Sequence, residues 1–315
     1  MSGGQPGGLA TAEKLDEPTP VQAIVGRHPV IDAHVHVFPP PVFEALWRWF
    51  DENAWSIRYR LTVPEIVGFL RERGVARGVA LQYAHRPGMA RELNVFAQVI
   101  HRMEPWFIPC ATVFPGEEDA RAILDQALGP QGLRGVKIHC HVQRVAPDDR
   151  RLDDVYDAAA AHGVPVVIHA GDAPALPGNA AEVGTLCRPA ALEHALRRHP
   201  RTTFLVPHLF AAHFRSAEQF LNEFEHLYLD TTMALAGYIP LHRETRTTEV
   251  EAAAEWQRAA FEVLRAHPDR ILYGSDFPNL PYEWDRELRI LVDLDLPDAA
   301  LGAVLSENAA RLFRL

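Results

Sequence analysis

The sequence predicts an α/β fold in which eight parallel strands, each followed by a helix, close a (β/α)8 TIM barrel. Eight short apolar runs rich in β-branched residues alternate with longer segments whose apolar residues recur at helical spacing. Eight is also the number of strands that closes a barrel whose interior is filled by side chains. The chain has 315 residues, and one such barrel needs roughly 250 residues plus its loops. We therefore expect one large domain.

The predicted strands follow one another along the chain with helical patterns between them. They are Pro29–His36, Ala76–Tyr83, Trp106–Val113, Leu133–His139, Val164–Ala170, Thr202–His208, His226–Asp230 and Arg270–Asp276. The alternative α/β fold is an open, doubly wound sheet, which usually carries a glycine-rich turn after its first strand. The sequence has no GxGxxG motif there and no GxxxxGK[ST] motif anywhere. The barrel is therefore the preferred architecture.

Two connections are longer than the others and predict inserted βα loops after strands 1 and 7. They run from about Val37 to Thr62 and from about Thr231 to Asp269, and long loops of this kind often cover a binding site. Residues 1–21 are rich in Gly and Pro and predict a flexible lead-in, which leaves residues 22–315 as the single domain. The closing SENAARLF predicts a last helix capped by its serine that closes the barrel.

Composition narrows the classes of function and the surroundings that we expect. The net charge of −10 argues against a surface for nucleic acid or for an anionic membrane. No apolar stretch reaches the length of about 18 residues that a spanning helix needs, and the N-terminus lacks the pattern of a secretory signal. Cys110, Cys140 and Cys187 form no CxxC pair and are expected to be buried and reduced. We expect a cytoplasmic protein that acts on a small molecule, with homo-oligomerisation left open.

Polar residues stand at the carboxyl ends of four predicted strands, where active sites of TIM barrels lie. Strand 1 ends in His34 and His36, strand 5 in His169, strand 6 in His208 and strand 8 in Asp276. Residues i and i+2 of a strand point to the same face, so both strand-1 imidazoles can reach one cation. Imidazole and carboxylate ligands suit Zn²⁺, with Mn²⁺ or Fe²⁺ as alternatives. The sequence therefore predicts an open divalent cation site with the ligands His34, His36, His169 and Asp276.

The fourth strand, GVKIHCH, allows several interpretations. Lys137 and His139 share a face by alternation. Lys137 fits a polar layer inside the barrel, a contact with a substrate carboxylate, or a carbamylated lysine that bridges two metals. His139 lies nearer the rim, where we expect a contact with the substrate. Arg144, just beyond the strand, is a further residue expected to orient an acidic substrate.

The chain resembles the amidohydrolase superfamily, and within it the amidohydrolase-related branch known as amidohydrolase 2. The resembling segments run in order from about residue 30 to the C-terminus and are IDAHVHVF, LRGVKIH, VPVVIHAG, FLVPHLF, LYLDTT, ILYGSDFP and SENAARLF. The resemblance implies a distorted TIM barrel with one or two metals. By it, His34, His36, His169 and Asp276 match metal ligands, and His208 matches either a second-metal ligand or a catalytic acid and base. Lys137 departs from the pattern because it lies two residues before His139, which argues against a carbamate-bridged pair of metals.

The branch contains hydrolases of esters, lactones and amides, and it also contains non-oxidative decarboxylases. For hydrolysis, we expect a cation that acidifies bound water, Asp276 as the base and His208 beside the oxyanion. For decarboxylation, the cation would bind the substrate carboxylate, and His208 or Asp276 would protonate the carbon. A third hypothesis, a metal that only stabilises the barrel, is disfavoured because structural zinc sites are usually closed. The sequence analysis places hydrolysis first and decarboxylation second.

Overall fold

Parallel strands alternate with helices throughout the computed structural model, which describes residues 19–172, 186–236 and 247–315 and no side chains within 247–253. The strands are Ile31–His36 (β1), Arg77–Leu81 (β2), Phe107–Pro109 (β3), Val136–His139 (β4), Val166–His169 (β5), Phe204–Val206 (β6), Leu227–Asp230 (β7) and Ile271–Leu272 (β8). The predicted lead-in at residues 1–21 lies almost wholly outside the described residues.

The helices that pack around the strands begin with Val21–Val25 (α1), Pro40–Asn53 (α2) and Val63–Glu72 (α3). They continue with Ala90–Met103 (α4), Ala120–Leu128 (α5), Cys140–Gln143 (α6), Asp153–His162 (α7), Pro189–Arg198 (α8), Phe214–Glu223 (α9) and Thr247–Ala266 (α10). Arg286–Asp293 (α11), Asp298–Gly302 (α12) and Asn308–Phe313 (α13) complete the chain. In the described part of the chain, none of these helices combines the length and apolar character that crossing a membrane requires.

Backbone hydrogen bonds join the strands into a ring. One ladder runs in the order β1-β2-β3 and a second in the order β4-β5-β6-β7-β8, and all their pairings are parallel. The gap between β3 and β4 is bridged where Lys137 N donates to Ala111 O at 2.7 Å. The gap between β8 and β1 is bridged where His36 N donates to Phe277 O at 2.7 Å. The eight strands therefore form the predicted (β/α)8 barrel.

The barrel interior and the layer between strands and helices are separate apolar clusters. The interior cluster contains Ile31 and Ala33 of β1 together with Ala309 and Phe313 of α13. The last helix thus fills the amino-terminal end of the barrel, while the carboxyl ends of the strands stay free for polar side chains. Val35, which lies between His34 and His36 in β1, belongs instead to the apolar cluster between the strands and the helices.

An irregularity in β1 turns both histidines of the strand to the inside. The register with β2 shifts between Asp32 and Val35, and an irregularity of this kind reverses which face the following residues occupy. Asp32 stabilises it, because its carboxylate accepts hydrogen bonds from His34 N at 3.0 Å and from Ser275 N at 3.0 Å. The interior positions after the shift are therefore His34 and His36.

Two sequence predictions differ from the structure in detail. The strands are shorter than predicted, most of all β8, because the chain turns before Asp276, whose φ is 73°. The predicted serine cap is wrong: Ser306 lies inside a continuous helical segment that begins at α12, and its hydroxyl donates back to Gly302 O at 3.3 Å. The insertion after strand 1 contains α2, whereas residues 237–246 of the predicted strand-7 loop lie outside the described residues.

Candidate active site

Three side chains from the two ends of the chain meet at the carboxyl end of the barrel. His34 Nε2 lies 3.4 Å and His36 Nε2 lies 3.2 Å from Asp276 Oδ1. All three residues are buried, and each offers a ligand atom within 4.8 Å of the others. We call His34, His36 and Asp276 the first ligand group. Two donors bound at about 2.1 Å to one cation are separated by roughly 3 to 3.4 Å, so this spacing fits a shared cation.

A buried carboxylate at the end of β7 fixes the orientation of His34. Asp230 Oδ2 accepts a hydrogen bond from His34 Nδ1 at 3.0 Å. The proton of the neutral imidazole is therefore on Nδ1, and Nε2 presents its lone pair to the first ligand group. Burial, followed by the charge of Lys137, lowers the pKa of His34 to about 4, which keeps the ring neutral. Asp230 ends a predicted strand like the other site residues, and that position was the signal that could have identified it.

Contact with His36 keeps Asp276 ionised. Burial opposes ionisation, but the hydrogen bond and the charge of His36 outweigh it and hold the pKa of Asp276 well below its usual value.

Gly274 gives the strands room to approach here. A Cβ atom at Gly274 would lie 2.9 Å from His34 Cβ and 2.5 Å from Thr232 Oγ1, distances that only glycine avoids.

The structure places His169 in a second group rather than in the first. Its partners are His139 at the end of β4 and His141 in α6, and each of the three offers a ligand atom within 4.8 Å of the others. The register of the sheet explains this, because β4 and β5 pair with His139 directly opposite His169. The two rings stack with centroids 4.0 Å apart and an interplanar angle of 11°. We call His139, His141 and His169 the second ligand group.

His208 lies between the two groups. Its Nδ1 donates to Thr232 O at 2.8 Å, and its Nε2 lies 3.4 Å from His169 Nδ1. Because a neutral imidazole carries one proton, Nε2 of His208 is then the acceptor and Nδ1 of His169 the donor. The chain of contacts leaves Nε2 of His169 with a free lone pair. Burial lowers the pKa of His208.

Two aromatic side chains border the first ligand group. Phe38 stacks on His36 with ring centroids 5.9 Å apart. Tyr83 meets His36 edge-on at 5.8 Å and also contacts His139 at 4.8 Å. Tyr83 therefore stands where the two ligand groups meet. Sequence reasoning missed it, because a tyrosine at the end of an apolar strand is typical of core packing.

The residues expected to bind substrate occupy different places. Lys137 is fully buried, and its Nζ lies 3.4 Å from His34 Nε2. Burial lowers the pKa of Lys137 to about 8. Arg144 ends α6 with φ of 50° and an exposed side chain that belongs to neither ligand group. Of the predicted substrate contacts, His139 therefore belongs to the second ligand group, Lys137 lies beside the first, and Arg144 lies in neither.

Comparison with known proteins identifies the fold and the family. A model of the amidohydrolase family matches residues 31–315, while no curated protein sequence is a significant match. An uncharacterised TIM-barrel protein of Bordetella bronchiseptica has a TM-score of 0.65 and 18% identity, over 90% of this chain and 98% of that chain.

Two further similar structures are described as decarboxylases with bound manganese. The 5-carboxyvanillate decarboxylase of Novosphingobium aromaticivorans has a TM-score of 0.64 and 15% identity, over 95% of this chain and 99% of that chain. The dihydroxybenzoic acid decarboxylase of Polaromonas has a TM-score of 0.64 and 16% identity, over 91% of this chain and 97% of that chain. At these identities the likeness concerns the fold. The family match spans nearly the whole described barrel, and the chain belongs to the amidohydrolase family.

Proposed function

We propose that this protein is a metal-dependent, non-oxidative decarboxylase of an aromatic carboxylic acid. The observation that carries the proposal is the first ligand group, His34, His36 and Asp276, at the mouth of the barrel beside the ring of Tyr83. The similar structures described as aromatic-acid decarboxylases support it. They favour this reaction over hydrolysis, which the sequence analysis placed first.

The residues of the first ligand group fit a divalent cation. His34 and His36 provide imidazole nitrogens, and Asp276 provides an ionised carboxylate oxygen that both nitrogens approach within 3.4 Å. This mixed donor set suits Mn²⁺, Zn²⁺ or Fe²⁺. Because two similar structures contain manganese, we propose Mn²⁺ first rather than the Zn²⁺ expected from sequence. The proposal rests on these three residues, and His169 is not required for it.

When bound, the cation would supply a positive centre that takes up the substrate carboxylate and an adjacent oxygen and stabilises the charge that develops as the carbon–carbon bond breaks. Asp276 moves the proton. Decarboxylation replaces the bond to CO₂ with a bond to hydrogen, so one proton must reach the carbon. Because Asp276 is held ionised, it must first take up this proton from water or from a hydroxyl group of the substrate, and it then passes the proton to the carbon. The contacts of Asp276 with His34 and His36 both engage Oδ1, and we assign the proton transfer to Oδ2.

His208 is less suited to deliver that proton than the sequence suggested. Both of its ring nitrogens lie against neighbours, Thr232 O and His169 Nδ1, and burial disfavours its charged form. We propose that it orients His169 and stands beside the substrate. Tyr83 would contact the aromatic ring of the substrate. Aromatic rings pair favourably at centroid distances of about 4.5 to 7 Å.

Lys137 gives the site an affinity for anions. It lies fully buried on β4, beside His34, and a buried ammonium close to the cation would attract a carboxylate. Arg144, which the sequence offered for this role, has an exposed side chain. The substrate class that follows is a small aromatic acid with an oxygen substituent next to its carboxylate, which can bind the cation through two oxygens.

The test compares CO₂ release with hydrolysis in the same preparation. Protein freed of metal with a chelator and reloaded with Mn²⁺ is offered hydroxybenzoates and carboxyvanillates, and separately a panel of lactones and esters. We expect CO₂ from at least one aromatic acid, no hydrolysis, and loss of activity on chelation and in His36→Ala. His101→Ala is the matched control, since His101 is a half-buried histidine whose Nδ1 donates to Phe107 O outside both ligand groups. Cleavage of a lactone or ester without CO₂ release would replace this proposal with hydrolysis.

A further inference from the structure

We propose that the outer face of α4 binds α4 of a second copy of this chain, with the two helices antiparallel about a two-fold axis. In the described part of the chain six large apolar side chains are exposed, and three of them lie on this one helix. They are Val95, Val99 and Met103, with 47%, 43% and 74% of their surface exposed. The inference is independent of the decarboxylase proposal, because this face of α4 points away from the strands and their ligand groups.

The three exposed side chains form one apolar stripe along the helix. They recur at intervals of four residues, and each residue turns an α-helix by about 100°, so the three lie within a sector of roughly 80°. The opposite side of α4 carries Leu93, Ala97 and Ile100, which are buried. A surface helix normally presents polar residues to solvent, and contiguous exposed apolar residues indicate a binding surface. The helix therefore has two apolar sides, and the chain itself covers only one of them.

Charged residues at the two ends of the stripe point to a second copy as the partner. Glu92 and Arg102 are exposed. They lie on the same side of the helix as the stripe, about 15 Å apart along its axis. Their neighbours Arg91 and Glu104 form ion pairs within the chain, whereas Glu92 and Arg102 have no ion-pair partner among the described residues. A stripe that is acidic at one end and basic at the other is complementary to its own reversed copy.

The spacing of these residues determines the register of the two helices. Position 97 is the midpoint between Glu92 and Arg102, and it is also the midpoint between Val95 and Val99. A two-fold axis at this position places Glu92 opposite Arg102 of the partner subunit. The same axis places Val95 opposite Val99 of the partner subunit. Each contact then occurs twice, as in every interface between two identical surfaces.

The size of the stripe predicts a weak dimer. A stable interface buries about 800 Å² on each partner, and one helix face with three exposed apolar side chains provides less. We therefore expect a dissociation constant of about 10 to 100 µM, so that the dimer forms only in concentrated solution.

The test measures the mass of the full chain in solution as its concentration rises. Analytical ultracentrifugation from about 5 to 500 µM should show a monomer that converts to a dimer. Val99→Glu should weaken the dimer by about 100-fold or more, because it brings two carboxylates into the apolar centre of the interface. Leu315→Glu is the matched control: Leu315 is 44% exposed outside α4, and this variant should dimerise like the wild type. Circular dichroism checks the fold, and Val95→Lys replaces Val99→Glu if that variant does not fold.

Charge reversal tests the antiparallel register. Glu92→Arg and Arg102→Glu should each weaken the dimer, because each places like charges opposite one another in both symmetric contacts. The double variant should restore the affinity. A wild type that stays monomeric over the whole range would overturn the proposal and leave the stripe to a different protein. A dimer that Val99→Glu leaves intact would also overturn it, and so would two charge reversals whose effects add, because the two positions then do not face each other.

Discussion

Asp230 and His34 form a fully buried pair in which Asp230 Oδ2 accepts a hydrogen bond from His34 Nδ1 at 3.0 Å. This bond determines which nitrogen of His34 faces Asp276, and therefore whether the first ligand group can bind a cation. Asp230 also accepts from His208 N at 3.2 Å and Thr232 N at 3.1 Å through Oδ1. A single carboxylate thus links the first ligand group to the loop that carries His208.

Asp230→Asn should weaken cation binding without unfolding the barrel. The amide oxygen can still accept from the two backbone N–H groups, but its NH₂ would face His34 Nδ1 and favour the wrong tautomer. Loss of such an outer partner typically costs about 10- to 100-fold in metal affinity. Competition with a fluorescent chelator measures it. Asp153→Asn, in the pair with His199 at 3.1 Å on the outside of the barrel, is the control, and equal affinity in both variants would show that Asp230 does not orient the ligand.

Gly274→Ala should disturb the site because the new methyl group has no space. It would lie 2.5 Å from Thr232 Oγ1 and 2.9 Å from His34 Cβ, so β1 and β8 would have to separate. Overpacking of this kind costs about 1 to 3 kcal/mol, and cation affinity should fall with it. Gly68→Ala is the matched control: it lies in α3 with no atom within 4 Å of the added Cβ, and it should stabilise the protein by roughly 0.5 to 1 kcal/mol. Equal melting temperatures for the two variants would contradict the packing argument.

The metal-free protein should lose stability as the pH falls from 6.5 towards 4. Burial lowers the pKa of His34 to about 4 and the pKa of His139 and His169 well below 6.5, so in this window the unfolded chain takes up protons that the folded chain does not. Asp32 and Glu287 act in the opposite direction, because burial raises the pKa of Asp32 to about 7 and that of Glu287 to about 8. They are two groups against these three histidines and His208, whose pKa burial also lowers. Chemical denaturation at a series of pH values measures the slope.

His139→Asn isolates one contribution to that slope. Its free energy of unfolding should fall less between pH 6.5 and 4 than that of the wild type, because one fewer proton is taken up on unfolding. If the slope in His139→Asn is unchanged, the ring is not held neutral by burial.

His208→Asn should slow the reaction and leave the first cation bound. We expect a fall in kcat of about 100-fold or more, as for residues that position or polarise reacting groups, with little change in cation content at the first ligand group. Steady-state kinetics of CO₂ release and elemental analysis of the same sample provide both readouts. A variant that loses the first cation would show that His208 acts through the ligands.

Sequence alone could predict the barrel and the residues of the first ligand group, because strand ends of a parallel barrel converge whatever the details of packing. His34, His36 and Asp276 needed only that rule. The position of His169 needed more: it depends on the register that pairs it with His139 and on the turn into α6 that brings His141 to it. The register shift that turns His34 inward depends on Asp32 bonding to Ser275 at the other end of the barrel. Such long-range contacts leave no local pattern in the sequence.

The most direct test is the position of the cation itself. A crystal structure of the Mn²⁺-loaded protein, with anomalous differences recorded near the manganese edge, should show a peak within about 2.0 to 2.3 Å of a nitrogen of His34, a nitrogen of His36 and an oxygen of Asp276. A manganese peak that touches none of these three residues would contradict the account.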